Sequence, residues 1–512
     1  ADSLYPEKIG VIDGHRSFRY KEIKERVCAL AGFFQERGIQ PGDRISILDV
    51  NSSAFFENYY AAAGIGAIFS PLNHRLSAEE LAYILRDAGT RWLVVNFRFN
   101  LLVKKILTDS TLLEGILWIG KTPSLSAGIS CYEYEKIIGR NPAPFKPVPI
   151  RDDQVAQLYY TSGTTGKPKG VMLTHKNVYL HALGAIAELK LVDTDIWGHI
   201  APMFHLADAW ATFAITWVGG QHVMIRQFEA EHVMATIEKD HITMSNLIPT
   251  MLNLMIKHSR VQDYDYSRLR AILSGGAPIA PQLVQHIIQT FSCDYIQTYG
   301  MTETSPYLTL SVLKEHLQTL PVEERLAYKA KTGRPFITVD LQVMGKSNKP
   351  VIPDSQQVGE IWVRGDTITP GYWKRPEETQ NAFSGGWLRT GDLAVLDKEG
   401  YINIVDRKKD MIISGGENIY STEVENVLYR HPKVLEAAVI GIPDEKWGEA
   451  VKAVIVLKPT EKATEEEIIG FCKLHQASYK APKSVDFLTE LPKTGSGKIF
   501  KKALRDPYWP EK

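Results

Sequence analysis

Tyr160-Thr161-Ser162-Gly163-Thr164-Thr165-Gly166-Lys167-Pro168-Lys169-Gly170 packs hydroxyls, glycines and lysines into one short segment. Glycine lets backbone N–H groups turn toward an anion, the hydroxyls add donors, and the lysines add positive charge. The segment follows Val155 to Tyr160, which reads as a strand, and precedes a run that reads as a helix from near Thr174. Strand, glycine-rich loop and helix in that order is the placement of a phosphate-binding loop in an α/β fold. It is not a Walker loop: the spacing from Gly163 to Gly166-Lys167 is too short, and Pro168 stands where Ser or Thr is required. A plain surface turn would explain the glycines and hydroxyls, but not this density of donors together with two lysines.

Outward from the loop the pattern stays α/β. Phe18 to Gly38 reads as an amphipathic helix with Ile23, Val27, Leu30 and Phe34 on one face. Pro41-Gly42-Asp43 turns the chain into a buried strand from Arg44 to Val50, and Leu81–Ala88 then Trp92–Asn96 repeat helix and strand. A strand from Leu269 to Leu273 ends at Ser274-Gly275-Gly276. Such alternation predicts a large N-terminal domain of layered sheets with helices outside. Short strands and turns from Gly359 to Asp406 predict a compact β subdomain. The last hundred residues read as a small α/β unit, with Thr422-x-x-Glu425 and Thr464-x-x-Glu467 as capping boxes opening two helices. The charged run Asp406-Arg407-Lys408-Lys409-Asp410 marks the boundary, so the expected domains are 1–406 and a mobile 407–512.

The bulk numbers agree with a multidomain globular protein. The chain has 512 residues, 44% hydrophobic and 23% charged, too long for a single core. Lys plus Arg equals Asp plus Glu at 59 each. That balance argues against a dedicated nucleic-acid or membrane-surface protein. Cys28, Cys131, Cys293 and Cys472 are isolated, which favours a reducing compartment over a disulfide or zinc framework. With no signal-peptide pattern and no apolar run of bilayer length, the expected location is the cytoplasm.

Further motifs appear in order: Tyr299-Gly300-Met301-Thr302-Glu303, Thr390-Gly391-Asp392, Asp406 to Asp410, and Pro492-Lys493-Thr494-Gly495-Ser496-Gly497-Lys498. With the 160–170 segment, this set resembles the signatures of the adenylate-forming superfamily: acyl-CoA synthetases, aryl-CoA ligases, adenylation domains and luciferases. The resemblance covers nearly the whole chain. It implies ATP, Mg2+ and coenzyme A as cofactors, and a carboxylic acid as substrate.

It also implies residue roles. Thr161, Ser162, Gly163, Thr164, Thr165, Gly166, Lys167 and Lys169 would hold the leaving phosphates. Tyr299 and Gly300 would flank the adenine, with Gly276, Ala277 and Pro278 opposite, while Thr302 faces the phosphates and Glu303 contacts Mg2+. Asp392 suits a ribose diol, since a carboxylate accepts two hydrogen bonds, and Arg407 would be a second ribose or phosphate contact. Lys498 would be the catalytic cation, brought in by a mobile loop. Lys409 matches the hinge about which the small domain rotates. Gly415 and Gly416 would flank pantetheine and Trp447 would stack on the CoA adenine, whereas Ala481 stands where some aryl-CoA ligases carry a basic residue. His205, Leu206 and Met301 would border the acid. His205 is not assigned as a base, because the carboxylate is already ionised at neutral pH.

The acid itself is read from the pocket wall. Leu206, Ala207, Trp210, Ala277 and Met301 are apolar, which disfavours amino acids and dicarboxylates. Thr302–Pro306 and Lys314–Gly333 resemble medium- and long-chain fatty acyl-CoA synthetases, so a fatty acid is the leading expectation and an aryl acid the alternative. Loading of a carrier protein in place of CoA, a homodimer, and a silent nucleotide-binding scaffold stay open. The scaffold's expected signature, loss of Glu303, Asp392 or Lys498, is absent.

Overall fold

The computed structural model describes residues 1–107, 113–123, 128–140, 145–161, 167–277, 279–345, 348–493 and 499–509. The fold is mixed α/β, with a large N-terminal and a smaller C-terminal part. Two compact units divide the chain: Ala1–Leu341 with Val363–Leu388, and Gln342–Trp362 with Arg389–Lys512. The chain therefore passes between units within its β-rich stretch and not at one point.

The larger unit holds two sheets. A seven-stranded sheet is ordered Ser130–Glu133, Gly115–Ile119, Thr90–Asn96, Arg44–Leu48, Ile68–Pro71, Val155–Thr161 and Lys169–Thr174. A nine-stranded sheet includes, side by side, Tyr307–Leu310, Asp294–Gly300, Ala271–Gly275, Met244–Asn246, Ile196–His199 and Gln221–Met224. One core joins them. Leu30, Phe33 and Phe34 from the helix Tyr20–Glu36, and Phe55, Phe56 and Tyr59 from the helix Ser53–Gly64, pack with Ile45, Phe69, Val11 and Met224. Each such fully buried side chain contributes about 1.5–3 kcal/mol. Local signals set the helices. In Ala78–Ala88 the residues Leu81, Ala82, Ile84, Leu85 and Ala88 are buried on one face. Ser77 and Glu80 form a reciprocal capping box at 3.2 and 2.8 Å, and Gly89 ends the helix at φ 68°.

The phosphate-loop segment departs from its predicted setting. Val155–Thr161 is followed by a second strand, Lys169–Thr174, paired antiparallel with Thr161 opposite Lys169. The two strands thus form an antiparallel pair, and the helix His175–Leu189 begins one strand later, capped by Thr174 at 3.1 Å from the Asn177 amide. Val171, Met172 and Leu173 supply the apolar strand that the loop chemistry obscured. No helix among the described residues is long and apolar enough to cross a membrane.

In the smaller unit, Val434–Asp444 and Gly448–Leu457 form a long hairpin flanked by Ile412–Ser414 and Ser484–Phe487. The helices Ser421–Leu428 and Glu465–His475 cover it through Val424, Leu428, Ile468 and Cys472. Thr464 caps its helix as expected, accepting from the Glu467 amide at 3.2 Å. Thr422 does not cap: it lies inside its helix and donates to the Val405 carbonyl. Asp406 takes over that end, accepting from the Ser421 amide and from Ser421 Oγ at 2.9 Å. A tertiary carboxylate at the positive end of the helix replaces the local cap.

Candidate active site

Ile196–His199, Met244–Asn246, Ala271–Gly275 and Asp294–Gly300 are parallel neighbours. Their C-terminal ends therefore share one edge, where open α/β sheets bind ligands. This topology gathers His205 and Leu206, Gly276 and Ala277, and Tyr299, Gly300, Met301, Thr302 and Glu303 along that edge, although the sequence spreads them over a hundred residues. Pro278 lies outside the described residues. Two glycines are dictated by close approach. A Cβ on Gly300 would sit 1.8 Å from the Pro306 carbonyl, and one on Gly275 2.4 Å from Thr298 Oγ1. Gln297 Nε2 donates to the Ala277 carbonyl at 2.9 Å and Thr298 Oγ1 to the Ser274 carbonyl at 3.1 Å, fixing the 274–277 loop against its neighbour strand.

The strand pair Val155–Thr161 and Lys169–Thr174 reaches the same edge. Glu303 is buried, and its Oε1 accepts from the Tyr372 hydroxyl at 2.9 Å. The Lys169 ammonium lies 5.3 Å from the Tyr372 ring centroid and 3.5 Å from Glu378. Burial first, and the Glu303 carboxylate second, push the Tyr372 phenol well above its ordinary range, so it stays a donor. The stretch Thr367–Trp373 stitches the two motifs together. The Thr369 amide donates to the Glu303 carbonyl at 2.8 Å, and the Trp373 amide to the Gly170 carbonyl at 2.8 Å. Sequence reading missed Tyr372; the Pro370-Gly371-Tyr372-Trp373 turn, with aromatics beside glycine, was the available signal. Thr161 and Lys167 flank the loop, with Lys167 5.8 Å from the Tyr83 ring. Ser162, Gly163, Thr164, Thr165 and Gly166 lie outside the described residues, as does Lys498.

At the same edge, His205 precedes the helix Leu206–Val218, its carbonyl accepting from the Asp208 and Ala209 amides at 3.1 Å each. Its ring lies 4.6 Å from that of Phe204. Leu206 and Trp210 are buried, Met301 is half-buried, and Ala207 and Ala277 are exposed. Behind Trp210 stand Tyr307 at 5.3 Å and His181 at 5.8 Å.

A cavity of about 520 Å³ opens nearby in the same unit, lined by His74, Arg75, Arg98, Arg226, Phe228 and Met251 among others. Arg226 pairs with Asp13 at 2.8 Å. Three guanidiniums over an apolar wall suit a phosphate-bearing ligand. No local motif joins residues 75, 98 and 226, so sequence reading could not assemble them.

The smaller unit carries the remaining groups. Asp392 is buried opposite Arg407 across a hairpin, with Arg407 Nε 3.2 Å from Oδ1. Arg407 is about half exposed, so this pair is worth only about 0–1 kcal/mol and yields readily to a ligand. Lys409 is exposed, and its carbonyl accepts from Arg505 at 2.9 Å. Gly415 and Gly416 turn the chain at φ 61° and 83°. The Gly415 amide donates to the Trp447 carbonyl at 2.8 Å, and a Cβ on Gly415 would lie 2.8 Å from the Trp447 ring. Trp447 is 44% exposed, with Lys446 4.8 Å over its ring. Ala481 is buried, while the adjacent Lys480 pairs with Glu423 at 2.6 Å.

Comparison with known proteins accounts for this arrangement. Residues 2–373 match the family described as AMP-binding enzyme, and residues 423–498 match the AMP-binding enzyme C-terminal domain. The chain is 36% identical over 503 residues to a feruloyl-CoA synthase of Amycolatopsis sp, covering 98% of this chain and 96% of that protein. It is 35% identical over 500 residues to a long-chain-fatty-acid–CoA ligase of Thermus thermophilus, covering 96% and 90%. In structure it resembles an O-succinylbenzoate coenzyme A synthetase of Bacillus subtilis in complex with ATP and magnesium ion, with TM-score 0.84, 28% identity, and coverage of 99% and 98%. This chain belongs to the AMP-binding enzyme family, within the adenylate-forming superfamily whose acyl- and aryl-CoA ligases use ATP, Mg2+ and coenzyme A.

Proposed function

We propose that the chain joins a medium- or long-chain fatty acid to CoA in two steps. First, a carboxylate oxygen of the acid bonds to the α-phosphorus of ATP, the bond to the bridging oxygen breaks, and pyrophosphate leaves with its electron pair. Second, the CoA thiolate sulfur bonds to the acyl carbon and AMP leaves. The observation that carries this reading is the Lys169–Tyr372–Glu303 junction. It ties a cation and a buried carboxylate to one tyrosine, Lys169 over its ring and Glu303 on its hydroxyl, at the C-terminal edge of a parallel sheet.

In the first step the barrier is partly repulsion between two anions, so converging cations lower it. Lys167 and Lys169 grip the leaving phosphates, Tyr299 packs on adenine, and Asp392 accepts from the ribose hydroxyls. Among the described residues, no three or more His, Cys, Asp or Glu side chains gather as a metal site. One buried carboxylate suits Mg2+, which keeps several waters and binds through one or two carboxylates beside phosphate oxygens. When bound it would offset phosphate charge.

In the second step the C-terminal domain 407–512 turns about Lys409, exchanging the Lys498 loop for the Gly415-Gly416 loop. An added Cβ on Gly416 meets no atom within 4 Å. Gly416→Leu therefore costs local left-handed strain of about 1–2 kcal/mol and leaves the unit folded. It is expected to slow transfer from preformed acyl-adenylate to CoA by about tenfold or more, as lost close approach of a thin thiol arm implies, while pyrophosphate exchange survives. Equal losses in both steps would contradict the exchange of loops. The arginine-lined cavity takes the CoA phosphates. Arg98→Ala should raise the KM for CoA about tenfold, since a charge-assisted hydrogen bond is worth roughly 1.5–3 kcal/mol, with exchange unchanged. An unaltered KM would remove Arg98 from the CoA site.

An aryl acid is the second reading. The ring wall of Trp210, Tyr307, His181 and Phe336 is closely packed, with His181 and Phe336 stacked at 5.1 Å. Such a wall favours a short planar acid over a long chain. Values of kcat/KM for AMP release across saturated acids of graded length, benzoates and cinnamates decide between them. An optimum that rises with chain length supports the fatty acid, and one at an aromatic acid rejects it. Running the same panel with holo-carrier protein in place of CoA tests the acceptor.

A further inference from the structure

A dry chain of polar groups runs beneath the loop that carries His205 and Leu206. His199 ends its strand; the chain then follows the sheet edge through residues 200–205 and enters the helix Leu206–Val218. Asp208, in the first turn of that helix, returns to His199, with Oδ2 2.5 Å from Nδ1. Asp208 Oδ1 accepts from Trp197 Nε1 at 3.2 Å. On the other side, His199 Nε2 lies 2.9 Å from His222 Nδ1, and His222 Nε2 3.0 Å from Thr216 Oγ1. Asp208, His199 and His222 are fully buried.

Counting hydrogens fixes the polarity of the chain. Thr216 has one hydroxyl hydrogen, and it goes to the Thr212 carbonyl at 2.7 Å. His222 Nε2 must then donate to Thr216, which leaves His222 Nδ1 as an acceptor. His199 Nε2 donates to it. The remaining proton lies between His199 Nδ1 and Asp208. A buried carboxylate without a cation would cost far more than a paired one. His222 stays neutral, since burial and the neighbouring His199 hold it well below the ordinary imidazole range. The other titratable groups facing this chain are Tyr59, Tyr159 and Tyr307 toward Asp208, and Tyr20 and Tyr60 toward Thr216; burial raises all five phenols, which remain neutral donors.

We propose that Asp208 and His199, sharing one proton, with His222 behind them, are positioning residues that clamp the 200–207 loop and so place His205 and Leu206 against the acid. The clamp closes the loop from within. Asn51 holds it from the side, donating to the His199 and Ala201 carbonyls at 2.8 and 2.9 Å and accepting from the Met203 amide at 2.8 Å. Tyr59 donates to the Met203 carbonyl at 2.8 Å. The inference rests on His205 and Leu206 bordering the acid.

The polarity makes an unusual demand on two variants. In Asp208→Asn, the amide oxygen still accepts from Trp197, and the amide N–H₂ donates to His199 Nδ1. Every group stays satisfied, so this conservative change is a rescue. In Asp208→Ala, the chain loses its anchor. Hydrogen exchange of the amides in the 200–207 segment should quicken in Asp208→Ala and stay at the wild-type rate in Asp208→Asn. The KM for the acid should rise about tenfold or more in Asp208→Ala and stay within about twofold in Asp208→Asn, with the KM for ATP within about twofold in both. If Asp208→Ala does not fold, His222→Phe, packed on Phe56, takes its place with the same selective rise expected. Unchanged hydrogen exchange of the 200–207 segment in Asp208→Ala, or equal rises in both KM values, overturns the proposal. Absence of acid-dependent exchange in the wild type would instead sink the functional reading and leave the hydrogen-exchange result standing.

Discussion

Lys498→Ala is expected to lower carboxylate-dependent ATP–pyrophosphate exchange by about 10²–10³-fold, the usual cost of removing one preorganised group that stabilises transition-state charge. Transfer from preformed acyl-adenylate to CoA should stay within about twofold of wild type. The asymmetry is the point. Charge builds up on a pentavalent phosphorus only while pyrophosphate leaves; in the second step sulfur bonds to the acyl carbon, the acyl carbon–oxygen bond breaks as AMP leaves, and no bond to phosphorus forms or breaks. A lysine that acts in one of two arrangements of the C-terminal domain 407–512 serves the first step alone. An unchanged Tm checks that the fold is intact. Equal losses in both half-reactions would reject the rotation of the C-terminal domain 407–512 as the device that separates them.

Glu303→Gln should lower exchange by about 10²-fold, again the scale of one lost electrostatic group, and raise the Mg2+ concentration needed for half-maximal rate. The substitution keeps the shape and keeps an oxygen to accept from Tyr372, whose hydroxyl now stands 2.9 Å from Oε1. The backbone bond from Thr369 to the Glu303 carbonyl is untouched. Loss of activity with an unchanged Tm therefore reports the missing charge and not a broken fold. Wild-type exchange in the variant at saturating Mg2+ would restrict Glu303 to metal affinity. Wild-type exchange at limiting Mg2+ would remove it from the metal site.

The sequence made the layers and the motif order legible, because helix and strand periodicities were strong in segments such as Leu81–Ala88 and Arg44–Leu48. It misread the setting of the phosphate loop, since Lys169–Thr174 begins with loop chemistry and continues as a strand. Thr422 shows a different limit. A local capping pattern was outbid by Asp406, a carboxylate fifteen residues upstream whose approach depends on the folded hairpin. The three arginines of the cavity were invisible for the same reason, and the Pro370-Gly371-Tyr372-Trp373 turn signalled Tyr372 without giving its partner. Each becomes functional only through neighbours that are remote in sequence, such as Glu303 for Tyr372. Asp208 carried no signal at all. An aspartate in the first turn of a helix is ordinary, and only the buried His199 and His222 beside it make it distinctive.

The central claim is acid activation through an adenylate. It is tested most directly by measuring AMP and pyrophosphate release from ATP across a panel of carboxylic acids, with and without CoA. The account predicts pyrophosphate exchange that depends on the acid, and sustained AMP release that depends on both the acid and CoA, with acyl-CoA formed in equal amount. ATP binding without acid-dependent exchange for any acid of the panel would contradict it and leave a silent nucleotide-binding scaffold in its place.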